Sequence, residues 1–144
     1  MDFPSDASKN VLEEFASFSL GKWLGGGMSR QVYEHPTDKN KVIKIENSAR
    51  EFQNVIEWEF WQNWQYDKDV SKWLAPCYSI SYNGTFLIMD RTIPLITTPK
   101  YLPTFLTDHK LDNYGMLKGK LVCHDYGRIV TTLQMKHRKW GSRI

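Results

Sequence analysis

The chain has 144 residues and a formal net charge of +3, enough for one hydrophobic core but short of a two-lobed enzyme. Its 41% hydrophobic and 14% aromatic content excludes a disordered polypeptide. The mild positive charge permits attraction to nucleotides or acidic partners without demanding nucleic acid.

The N-terminal residues carry two acids early and no long apolar run, and no stretch reaches the roughly eighteen apolar residues of a membrane span. Neither a secretion signal nor a membrane helix is expected. Cys77 and Cys123, the two cysteines, lie in apolar runs and read as buried thiols, so a reducing cytoplasm fits.

Val11, Leu12, Phe15 and Phe18 recur at helical spacing, which predicts a short helix over 8–20 capped by Ser8 or Asn10. Next, Leu24 leads into Gly25, Gly26 and Gly27, followed by Val32-Tyr33, a turn-rich stretch from His35 to Asn40, and the strand-like Val42-Ile43-Lys44-Ile45. Glycines between strands let backbone N–H groups approach phosphate oxygens closely. Alone, the run reads as a flexible hairpin tip. Lys44 sits between Ile43 and Ile45, so alternation by itself leaves open which face of the strand is buried.

Phe52, Val55, Ile56 and Phe60 predict a helix over Ser48 to Tyr66 with Ser48 as its cap. It contains Glu57 and Glu59, which either solvate its outer face or reach inward. Cys77–Tyr82 and Thr85–Met89 read as strands joined by Asn83-Gly84, a strong hairpin signal. With the strands before them they predict an α+β fold, a five-stranded antiparallel sheet beside one helix. The interval Arg91 to Thr107 holds Pro94, Pro99 and Pro103, which forbid a long helix.

From Thr107 to Gly127 the chain concentrates its polar groups. Asp108, Lys110 and Asn113 fall at D-x-K-x-x-N spacing, and Asp125-Tyr126-Gly127 follows. Between them, Tyr114–Leu117 and Leu121–Cys123 flank Lys118-Gly119-Lys120, a hairpin that would bring Asn113 and Asp125 to neighbouring strand ends. Two such oxygen acceptors suit a hard cation, with Asp108 facing the same spot. The basic C-terminal run, Lys136 to Trp140, reads as solvated surface or an interaction tail.

These motifs, in this order, resemble the protein-kinase-like superfamily, in which H-R-D-x-K-x-x-N precedes a hairpin and then D-F-G, and a glycine loop precedes a strand lysine. The resemblance implies a minimal kinase-like domain over 1–144. Residues 1–90 would form an N-lobe, and residues 91–144 a C-lobe remnant with most of the helical lobe missing.

It implies roles for named residues. Gly25, Gly26, Gly27 and Val32 would cover the nucleotide, with Met89, Asp90 and Thr92 at its adenine end. Lys44, paired with Glu57, would orient the phosphates, and Asn113 and Asp125 would hold Mg²⁺. Asp108 and Lys110 would be catalytic. Two departures are visible: Leu106-Thr107 stands for His-Arg, and Arg30 stands at the third glycine position. That arginine would either tighten the loop against an acidic group or bring positive charge to the phosphates.

The expected activity is ATP- and Mg²⁺-dependent phosphoryl transfer, of serine/threonine protein-kinase type, to the chain itself or a host protein. The alternatives are a pseudokinase-like module that binds and modulates a partner, and a basic protein that uses its Trp residues on nucleic acid. A homodimer is a further candidate assembly. Economy of length suggests a phage or mobile-element gene acting in a bacterial cytoplasm.

Overall fold

The computed structural model describes residues 20–27, 29–46 and 51–129, together with the backbone of 137–139. The helix expected over 8–20, the Ser48 cap and the ends of the basic tail fall outside the described residues, apart from Leu20 at the helix's end. Strands β1 (Trp23–Gly26), β2 (Arg30–Glu34), β3 (Lys41–Glu46), β4 (Cys77–Ile80) and β5 (Phe86–Asp90) form one sheet in the order β1-β2-β3-β5-β4. All its pairings are antiparallel. The fold is therefore α+β with the five-stranded sheet that the sequence pattern requires.

Strand β3 is buried from Val42 to Glu46 because both of its faces are covered. Ile43 and Ile45 pack with Phe86 on one side. Val42 joins Leu87, Met89 and Phe60 in the larger core on the other. Period-2 alternation then sets Lys44 and Glu46 on the Val42 side, the side of the helix. This resolves the ambiguity left by the flanking isoleucines.

Helix α1 (Gln53–Trp64) crosses that face, and the short α2 (Lys68–Ser71) follows. The buried positions of α1 are Gln53, Asn54, Glu57 and Phe60, while Val55 and Ile56 are half-buried. Phe52, expected in the apolar stripe, is instead 57% exposed and left-handed at φ 53°. The helix thus turns a largely polar stripe inward. Its N-terminus is closed by Glu46, whose two carboxylate oxygens accept from the N–H groups of Gln53 (2.8 Å) and Asn54 (2.9 Å). A carboxylate there meets both the unpaired donors and the positive end of the helix dipole.

The loop between β4 and β5 departs from a two-residue Asn-Gly turn. Only Gly84 has positive φ (76°), and Asn83 Oδ1 accepts from Ser81 Oγ and Thr85 N instead. After β5 come β6 (Ile93–Pro94) and β7 (Tyr101–Pro103). No helix forms between Arg91 and Thr107, as the prolines require.

A 3-10 turn, Leu111–Asn113, then opens β8 (Tyr114–Leu117) and β9 (Lys120–Cys123), which complete the three-stranded order β6-β8-β9. The hairpin turn is two residues, Lys118 and Gly119, both at positive φ (52° and 78°), so Lys120 belongs to the strand. Last, β10 (His137–Lys139) pairs with β7. The second half is fastened to the first where Ala75 N donates to Cys123 O and Cys123 N donates to Trp73 O. That seam delivers the residues after Cys123 beneath α1.

Candidate functional site

One cleft of about 890 Å³ opens between the sheet and the β8–β9 hairpin. Gly25, Gly26, Gly27, Val32 and Lys44 line it from the sheet side. Met89, Asp90 and Thr92 line the connection after β5, and Asp108, Lys110, Asn113 and Asp125 the hairpin side. Every residue given a site role by the resemblance therefore borders this space except Glu57, which is buried within its floor.

Glu57 is the centre of the floor. It is fully buried. Its Oε1 accepts from Lys44 Nζ at 2.9 Å and Arg30 Nη1 at 2.6 Å. Its Oε2 accepts from Arg30 Nη2 at 3.1 Å and from the Tyr126 N–H at 2.6 Å. Burial alone would push its carboxyl up, but the charges and hydrogen bonds of Arg30 and Lys44 outweigh that and hold it down at about 2. Glu57, rather than the exposed Glu59, is the acid that reaches Lys44. Lys44 Nζ also donates to the carbonyl of His124.

Arg30 is the residue whose role the sequence leaves undecided. Its guanidinium binds Glu57 through both nitrogens and extends Nη2 to Asp125 Oδ1 at 2.5 Å. Nη1 also meets Asn54 Oδ1 at 3.3 Å. Of the two expectations for this arginine, the contact with acidic groups is the one observed. Burial opposes its charge, but Glu57 and Asp125 raise its pKa above the ordinary value.

Two cations, Arg30 and Lys44, and two carboxylates, Glu57 and Asp125, are thus bonded in one network. Asn54 locks the helix over it, with Nδ2 donating to the carbonyls of Lys44, Gly84 and Thr85. A Cβ on Gly84 would come 2.7 Å from Val55 Cγ2, so the loop and helix meet at close quarters there.

The hairpin brings Asn113 and Asp125 together as its register demands. Tyr114 pairs with Cys123, and His124 N donates to Asn113 O at 2.8 Å. Asn113 is buried and borders the cleft. Asp125 uses only Oδ1 there, and its side chain is 43% exposed.

One free oxygen on each is a hard donor pair suited to Mg²⁺, which takes one or two protein carboxylates and fills its octahedron with water and phosphate. No cluster of three or more His, Cys, Asp or Glu side chains occurs among the described residues.

His124 sits at the junction. Its Nε2 donates to Asp112 O at 2.5 Å, which leaves Nδ1 to accept from Thr92 Oγ1 at 2.6 Å. Burial, reinforced by Lys44, lowers its pKa.

Asp108 is exposed, its Oδ1 accepting from Lys110 N at 3.1 Å and its carbonyl from Tyr114 Oη at 2.6 Å. Lys110 is exposed beside it. The turn after β1 is tight, with Gly27 N donating to Arg30 O at 2.9 Å. Burial pushes the Cys77 thiol up to about 12 and the Cys123 thiol higher still, so neither is a nucleophile.

Glu46, Asn54 and His124 are participants that sequence reasoning missed, and the partners of Arg30 were left open. Only Arg30 carried a signal, as a charged residue where the motif expects glycine. No helix among the described residues is long and apolar enough to cross a membrane. Neither family models nor curated proteins give a match to this chain.

Proposed function

We propose that the chain is a minimal protein-kinase-like phosphotransferase that binds ATP with Mg²⁺ and transfers the γ-phosphoryl group to a protein hydroxyl. The observation that carries the reading is the pairing of Lys44 with the buried Glu57 at 2.9 Å, at the floor of the same cleft that Asp108, Asn113 and Asp125 border. A strand lysine held by a helix glutamate opposite a metal-binding loop is the arrangement that phosphoryl transfer uses.

Lys44 binds and orients the α- and β-phosphates. Val32 and Met89 present apolar surface to the adenine, and Gly25 to Gly27 close over the phosphates. Asn113 and Asp125 would hold the cation, which would supply positive charge to the phosphates. Asp108 takes the proton of the attacking hydroxyl as its oxygen bonds to the γ-phosphorus and the bond to the β–γ bridging oxygen breaks. Lys110 offsets the charge on the transferred group.

The Arg30 contact with Asp125 favours a second reading, a nucleotide-dependent module that binds and modulates a partner without transfer. Nucleic-acid binding draws little support, since Trp58, Trp61, Trp64 and Trp73 pack against the core.

The test is incubation of the full chain with γ-labelled ATP, Mg²⁺ and a cell lysate. Label on protein that is lost in Asp108→Ala and Asp125→Asn is expected. Label that persists in both variants overturns the assigned roles, and saturable nucleotide binding without any label selects the second reading.

A further inference from the structure

Arg30 is not a mobile surface arginine. Its side chain is 7% exposed and forks onto both oxygens of a glutamate that is itself fully buried. The remaining contacts of that glutamate, Lys44 Nζ and the Tyr126 N–H, are fixed by the sheet and the hairpin seam. Withdrawing the guanidinium would strand a buried carboxylate on one cation, so it stays where it is. From that anchored position Nη2 occupies Asp125 Oδ1.

We propose that Arg30 is a resident cation of the cleft: with Nη2 on Asp125 Oδ1, it takes the place of one of two divalent ions and leaves Asp125 Oδ2 and Asn113 to hold a single ion. The inference rests on the nucleotide-binding reading above and deepens it.

Kinase sites of the ordinary kind share two Mg²⁺ between an aspartate and an asparagine. Here the aspartate has one oxygen consumed by a permanently charged group. A second divalent ion on the same carboxylate would face a guanidinium across 2.5 Å of shared oxygen, where like charge opposes it. What remains is one oxygen of a half-exposed carboxylate and the amide of Asn113, both on the cleft. With phosphate oxygens and water, that set completes one octahedron. Because Arg30 opens β2, directly after the glycine turn that its carbonyl closes, the charge also lies beside the phosphate-covering segment.

The experiment counts Mn²⁺ by electron paramagnetic resonance in the full chain saturated with a non-hydrolysable ATP analogue, after subtraction of ion held by free analogue. One Mn²⁺ per nucleotide-loaded chain is expected, with no second phase at millimolar Mn²⁺. Arg30→Gln is expected to raise the count towards two, and Arg30→Lys, which keeps the charge, to leave it at one.

Two Mn²⁺ in the wild-type chain overturn the inference while leaving nucleotide binding intact. A folded Arg30→Gln chain that still holds one ion overturns it as well. If Arg30→Gln does not fold, the wild-type count decides. A chain that binds no analogue at all removes the inference together with the reading it rests on.

Discussion

The two walls of the cleft are built on opposite principles. On the sheet side, Arg30, Lys44 and Glu57 are buried and bonded to one another, and their positions are fixed by β2, β3 and α1. On the hairpin side, Asp108 and Lys110 are exposed, and their segment is held by backbone contacts such as the Tyr114 hydroxyl on the Asp108 carbonyl. A buried ionic wall is tied to folding, since its charges are costly unless all are paired. An exposed wall is free to serve a ligand or a partner. Substitutions on the first side should therefore change stability most, and those of exposed residues on the second should act mainly on chemistry.

The largest expected effect comes from Glu57→Gln, which leaves two buried cations without their shared carboxylate. A loss of about 3–5 kcal/mol in urea denaturation is expected. A loss under about 1 kcal/mol would show that the floor is not the structural unit described.

Acid should act on the same group. Its folded pKa, about 2, lies below the ordinary 4.5, so the unfolded chain takes up the proton first as pH falls. The stabilisation is complete above about pH 4.5 and disappears on the way to about pH 2, a contribution of about 3 kcal/mol by linkage. Urea midpoints across that window should fall in the wild type and flatten in Glu57→Gln. An equal slope in both proteins would assign the acid sensitivity elsewhere.

Tyr114→Phe sharpens the contrast by loosening the exposed wall without touching its charges. Deleting the hydroxyl that donates to Asp108 O should cost about 1 kcal/mol. Phosphoryl transfer should slow while nucleotide affinity holds, and a matching fall in affinity would mean the two walls are coupled. Smallest in stability is Asp108→Ala, an exposed site where a change within about 0.5 kcal/mol is expected. Its effect should appear only as lost label transfer, and a large thermal destabilisation would contradict its exposed placement.

Hairpins and strands were legible in the sequence because turn chemistry is local. Lys118-Gly119 declares its turn, and β3, β4 and β5 follow from apolar runs bounded by polar ones. The helix was legible as an element but not in its orientation. Apolar periodicity chose Phe52, Val55, Ile56 and Phe60, of which Phe60 is buried, whereas the other inward positions are Gln53, Asn54 and Glu57. Hydrophobic spacing reads a face that packs on oil, and this face packs on charge.

The closure of the helix N-terminus by Glu46 left no local signal, because Glu46 arrives from a neighbouring strand. Within the site, Lys44, Asn113 and Asp125 were visible through motif spacing. Arg30 was visible only as an anomaly, since a residue 95 positions from its partner Asp125 leaves no local pattern.

The central claim is that the cleft is a nucleotide cradle working through Lys44. Calorimetric titration of ATP with Mg²⁺ into the wild type and into Lys44→Met tests it most directly, with circular dichroism confirming that both are folded. One saturable site per wild-type chain, weakened at least tenfold in Lys44→Met, is the expected result. Absence of saturable binding to the wild type, or unchanged affinity in a folded Lys44→Met, would contradict it.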